Sequence, residues 1–97
     1  MRQSPTPGQG ASPVRHLYDP NRTQLTIVAD LLPTPLEEIS VHAGPNRVHL
    51  EWPVETGTAE RSFSPPTEAH RFAGERQAVY HNGVLTITVE VRARASR

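Results

Sequence analysis

The pair Asn82-Gly83, set between Ala78-Val79-Tyr80-His81 and Val84-Leu85-Thr86-Ile87-Thr88-Val89, constrains this chain more than any other segment. A two-residue type I′ turn needs positive φ at both central positions, and Asn and Gly are the residues that accept it. The flanking runs are therefore predicted to pair as antiparallel strands. His81 then faces Val84, Tyr80 faces Leu85, Val79 faces Thr86 and Ala78 faces Ile87. Alternation sorts the two faces: Ala78, Tyr80, Leu85, Ile87 and Val89 share the apolar one, while Val79, Thr86, Thr88 and Glu90 point the other way. Asn82 and Gly83 are a structural turn before they are anything else.

The rest of the chain reads as more short strands separated by turn signals. Val14, Leu17 and Tyr18 suit a lead-in strand before Asp19-Pro20-Asn21, and Gln24 to Asp30 alternates with Leu25, Ile27 and Ala29 on one face. Leu31-Leu32-Pro33-Thr34-Pro35 interrupts regular structure, because proline blocks both helix continuation and ladder donation. Leu36-Glu37-Glu38 is predicted to form one helical turn. Ile39 to Ala43 and Val48 to Trp52 form a hairpin around Gly44-Pro45-Asn46-Arg47, with His42 facing His49, Val41 facing Leu50 and Ile39 facing Trp52. Trp52 is accordingly expected in the core. Pro53 to Glu60 is read as a polar loop, Arg61 to Ser64 as a short strand ended by Pro65-Pro66, and Thr67 to Gln77 as an irregular connection anchored by Phe72. About six to eight short strands without a long amphipathic helix predict an all-β, antiparallel, immunoglobulin-like β-sandwich.

Residues 1–13, rich in Pro, Gly, Ser and Gln, cannot bury enough apolar area to offset chain entropy and are expected to be a flexible tail. The domain is placed at 14–91 and a polar tail at 92–97. A core drawn from about 70 residues is marginal, since a domain of that size buries only about 60% of its unfolded surface.

Composition closes several chemistries. There is no cysteine, hence no disulfide, thiol nucleophile or thiolate metal site. All ten basic residues are Arg, which excludes a lysine Schiff base, and ten acidic residues balance them, so no overall field gathers nucleic acid or an anionic membrane. No apolar run approaches the roughly 20 residues that span a bilayer. Met1 to Pro5 leads into no apolar segment, so neither a secretion signal nor an anchor is expected and the cytoplasm is the expected location. Gly8-Gln9-Gly10 lacks the strand and helix that a dinucleotide loop requires. No cofactor is expected.

Ala78 to Leu85, read as A-x-x-x-N-G-V-L, resembles the signature of the alpha-crystallin domain of small heat-shock proteins. Val28-Ala29-Asp30-Leu31-Leu32-Pro33 is similar to that family's A-D-L-P-G segment, Leu36-Glu37-Glu38-Ile39 to its acidic turn into a strand, and Arg61-Ser62-Phe63-Ser64-Pro65-Pro66 to its R-x-F-x-L-P element. Order and spacing agree over roughly 23–91. The resemblance implies an ATP-independent holdase that binds partly unfolded clients through apolar surface, as a homodimer or small oligomer. It also implies a groove between two edge strands, for which the matching residues are Ile39, Val41, Val79, Leu85 and Ile87. Four features depart from the family: no I-x-I/V anchor follows Val91, the Pro53–Glu60 segment is too short for strand exchange, Thr34 stands where the L-P-G turn has glycine, and a Pro/Gly/Gln tail replaces the apolar N-terminal arm. The alternative expectation is an interaction adaptor of the same fold, like CS-domain co-chaperones or gas-vesicle accessory proteins, with one native partner.

Side chains with reactive chemistry are scattered. His42 and His49 face each other in the predicted register, but no third ligand has a definable position, so no metal site is assigned. His16, His70 and His81 fall in loops or at a turn. Ser62 or Ser64 with a histidine and Asp30 would supply the parts of a triad, yet nothing in the sequence brings them together, and no enzymatic activity is expected. Arg61, Arg71 and Arg76 are read as solvated charges.

Overall fold

A computed structural model describes residues 13–94 of the chain. Seven strands form two antiparallel sheets: β1 (Val14–Asp19), β2 (Gln24–Asp30), β3 (Ser40–Ala43), β4 (Val48–Val54), β5 (Gly57–Phe63), β6 (His70–His81) and β7 (Val84–Ala93), with a 3₁₀ turn at Leu36–Glu38. One sheet has the order β1-β2-β7-β6 and the other β3-β4-β5. Their inner faces share a single apolar core that includes Leu25, Ile27, Leu50, Phe63, Phe72, Leu85, Ile87 and Val89. The expected β-sandwich is therefore what the chain forms. Among the described residues, no helix is long and apolar enough to cross a membrane.

The Asn82-Gly83 hairpin has the expected register, Ala78↔Ile87 through His81↔Val84. Asn82 and Gly83 both take positive φ, 52° and 80°. The turn is also a docking point: Leu31 N–H donates to the Gly83 carbonyl at 2.8 Å, and the Leu32 side chain lies over the glycine. The interrupting segment turns with a cis Leu32–Pro33 peptide. The β3–β4 hairpin pairs His42 with His49 and Val41 with Leu50, again as expected.

Three expectations need correction. Pro53 to Glu60 is not a loop: β4 runs through Pro53 to Val54, and only Glu55 and Thr56 separate it from β5. Pro53 is tolerated because β3 pairs with β4 only as far as Glu51, so no partner on that side needs its missing N–H. Thr67 to Gln77 is not irregular throughout, since β6 starts at His70 and carries a bulge between Phe72 and Arg76. Gly74 makes that bulge with φ 75°, and a Cβ there would lie 1.8 Å from Glu90 Oε1. The bulge lets consecutive residues Phe72 and Ala73 both be buried, which destroys the period-two signal. Finally, the ordered C-terminal region outruns residue 91. β7 continues to Ala93, and Arg94 donates to the Glu68 carbonyl and to Asn46 Oδ1. The expected tail at residues 1–12 and at 95–97 lies outside the described residues.

Trp52 is 7% exposed and belongs to the core. Its native emission is expected to be blue-shifted and poorly quenched by iodide, with both properties reversing on denaturation. A native maximum matching free tryptophan would contradict this packing.

Candidate functional site

Four edge strands bound the sandwich, and its two sides close differently. On the β1–β5 side, Phe63 is buried against His16, ring centroids 5.1 Å apart in an edge-on arrangement. The Arg61 guanidinium stands 5.1 Å from the Phe63 ring centroid and donates to the Val14 carbonyl at 3.5 Å. Arg61 is thus a half-buried plug and not the solvated charge expected.

The β3–β6 side is open. All four residues of β3 are exposed, as are Gln77, Ala78 and Val79 on β6. Contacts across this side gather at its ends: Phe72 N–H donates to the Pro45 carbonyl at 2.8 Å, Arg76 donates to the Ala43 carbonyl at 3.4 Å, and the Tyr80 hydroxyl donates to the Thr34 carbonyl. Between these ties, and among the described residues, β3 and β6 are each paired with a strand on one side only. Strand parity decides what lines the opening. Val41 and Ala43 pair with the core residues Leu50 and Val48, and Ala78 and Tyr80 pair with Ile87 and Leu85, so these four side chains are on the inward faces of the two edges.

Of the sequence-derived groove residues, Ile39 and Val41 reach this wall, Ile39 half-buried and Val41 37% exposed. Leu85 and Ile87 are 2% and 3% exposed, so they belong to the core behind the opening and offer no free surface. Val79 is exposed but pairs with Thr86 on the outward face of the hairpin, because it has the opposite parity to Tyr80. Ala78 and Tyr80 were missed as lining residues, although the hairpin register already placed both on the apolar face. Ala78, on the apolar face of the hairpin, is exposed in the structure.

A second grouping sits on the outer face of β4 and β5. His49 Nε2 lies 3.1 Å from Glu51 Oε2 and 3.0 Å from Glu60 Oε1, and His49 Nδ1 lies 2.6 Å from Ser62 Oγ. The histidine found its partners here and not in His42, its neighbour across the β3–β4 pair. Sequence parity puts His49 and Glu51 on one face. Placing Glu60 and Ser62 beside them needs the β4–β5 register, Glu51↔Glu60 and His49↔Ser62, which no turn signature in 53–60 announces. The Ser62–His49–carboxylate chain has the connectivity of a hydrolytic triad. It stands on a flat sheet face whose backbone amides lie in the plane of the sheet, so they do not converge above the Ser62 hydroxyl as an oxyanion hole requires.

No family model matches the sequence, and no curated protein matches it. Solved structures do. The Del-C4 mutant of hsp14.1 from Sulfolobus solfataricus P2 superposes with a TM-score of 0.61 at 23% identity, covering 84% of this chain and 76% of that one. A second mutant of hsp14.1 from the same organism gives 0.62 at 21% identity, over 88% and 75% of the two chains. This chain therefore has the β-sandwich fold of hsp14.1, the alpha-crystallin-domain architecture that its hairpin motif led us to expect.

Proposed function

We propose that this domain is an ATP-independent holdase, binding apolar segments of partly unfolded proteins along the open β3–β6 side. The observation that carries the reading is the asymmetry of the sandwich, plugged by Phe63 and Arg61 on one side and left open between two unpaired strand edges on the other. An extended client segment would gain main-chain hydrogen bonds from an edge and apolar contact with Val41, Ala43, Ala78 and Tyr80. Apolar burial at about 25 cal/mol per Å² does not read sequence, which suits varied clients. The likeness to hsp14.1 supports the same reading. We further propose a homodimer or small oligomer, without exchange of a strand through the β4–β5 connection, where Glu55 and Thr56 leave no loop to exchange.

The test is light scattering from a heat-labile client protein. Wild-type protein at several-fold excess is expected to suppress aggregation, and Val41→Asp, which places a charge on the wall of the opening, is expected to reduce suppression several-fold at unchanged secondary structure. No suppression by the wild type, combined with a stoichiometric complex with one native protein, would replace the holdase by the adaptor reading.

A further inference from the structure

We infer that His49, Glu51 and Glu60 bind a zinc-type divalent transition-metal ion on the outer face of the β4–β5 hairpin. This site is on the face of its sheet opposite the core and is independent of the holdase reading. Glu51 and Glu60 are directly opposite each other in the β4–β5 register, a position in which like charges repel unless they share a cation. Both carboxylates approach His49 Nε2, at 3.1 and 3.0 Å. One imidazole nitrogen and two carboxylate oxygens thus converge, all within 4.8 Å of one another.

The donor set selects the class of ion. Magnesium and calcium prefer all-oxygen surroundings, whereas an imidazole with carboxylates suits zinc and its first-row neighbours. Such an ion holds nitrogen and oxygen at about 2.0–2.2 Å, which separates tetrahedral ligand atoms by roughly 3.4 Å. The observed nitrogen–oxygen contacts of 3.0 and 3.1 Å are within about half an ångström of that separation. Glu60, 62% exposed at its side chain, is free to make up the difference.

Ser62 completes the arrangement. A ligating histidine is oriented by a partner on its other nitrogen, and Ser62 Oγ is 2.6 Å from His49 Nδ1. With the ion on Nε2, the Nδ1–H group donates to Ser62 Oγ. Nε2 cannot hold both the ion and a hydrogen, so ion binding fixes Nδ1 as the protonated nitrogen and the donor to Ser62. The bound ion ties the edge strand β5 to β4.

The experiment is isothermal titration of chelator-treated, untagged full chain with Zn²⁺ alone, together with thermal melts. Wild type is expected to bind one ion saturably and to gain about 5 °C or more at saturating Zn²⁺. His49→Ala and Glu60→Gln are expected to lose affinity by more than tenfold, and Ser62→Ala by roughly tenfold or more, while His42→Ala is expected to bind normally. All four positions are on the outer face, and circular dichroism checks that each variant folds. Absence of saturable binding in wild type overturns the site, as does full binding by His49→Ala. Loss of binding in His42→Ala overturns the three-ligand assignment.

Discussion

Phe72→Ala is expected to destabilise the domain by about 3–5 kcal/mol, the cost of removing a fully buried aromatic ring and leaving a cavity that the surroundings only partly fill. Phe72 is 1% exposed and among the largest fully buried side chains. It pairs with Val91 immediately before the Gly74 bulge, and its own N–H is tied to the Pro45 carbonyl. The strand on one side of the ring and the β3–β4 connection on the other are therefore both held at this residue, which limits collapse into the space. A domain of this length has a total stability of roughly 4–12 kcal/mol, so the variant is expected to lose a large fraction of it and to melt more than about 15 °C below wild type. Urea titration followed by Trp52 emission measures the change. Leu17→Ala, at a position 71% exposed, is the matched surface control and is expected to remain within about 0.5 kcal/mol of wild type. A loss below about 1 kcal/mol for Phe72→Ala would show that this ring does not close the core.

What could be read in advance follows from how strongly each segment announces its own geometry. Asn82-Gly83 and Gly44-Pro45-Asn46-Arg47 are turn sequences between alternating runs, so the β6–β7 and β3–β4 registers were legible residue by residue. The Gln24–Asp30 strand was legible for the same reason, with Leu25, Ile27 and Ala29 all buried. The β4–β5 hairpin was not, because Glu55 and Thr56 are not a turn signature and most of Gly57 to Ser62 is polar or exposed. Without the β4–β5 register, Glu60 and Ser62 have no cross-strand neighbours, and the grouping around His49 does not show in the sequence. β6 failed for a different reason: the Gly74 bulge shifts the alternation midway, so Phe72 and Tyr80 belong to one strand without sharing one periodic pattern. The difference between the open and plugged sides was beyond sequence reading, because it depends on which strand edges face each other across the sandwich.

Gly83→Val is the second large effect, expected to cost about 2–4 kcal/mol through two separable contributions. The backbone contribution arises because Gly83 has φ 80°, a region that a β-branched residue enters only under strain. The steric contribution arises because a Cβ here would lie 2.1 Å from Leu32 Cγ and 2.4 Å from Leu32 Cδ2. Leu32 is 67% exposed and has room to swing aside, but its neighbour Leu31 is held by the hydrogen bond to the Gly83 carbonyl, so the move pulls on the docked segment. A melting temperature lower by roughly 10–20 °C is expected, and an unchanged one would refute the turn. The contributions come apart in a double-mutant cycle of Gly83→Ala with Leu32→Ala, where a coupling above about 0.5 kcal/mol marks the steric part and the strain remains in both Gly83→Ala backgrounds. Asn82→Gly, which relaxes the neighbouring positive φ without adding an atom, is expected to be nearly neutral. The same segment supplies the Thr34 carbonyl to the Tyr80 hydroxyl. Loosening it therefore releases one end of the β3–β6 opening, and a single turn residue comes to govern both the stability of the hairpin and the width of the surface proposed to hold clients.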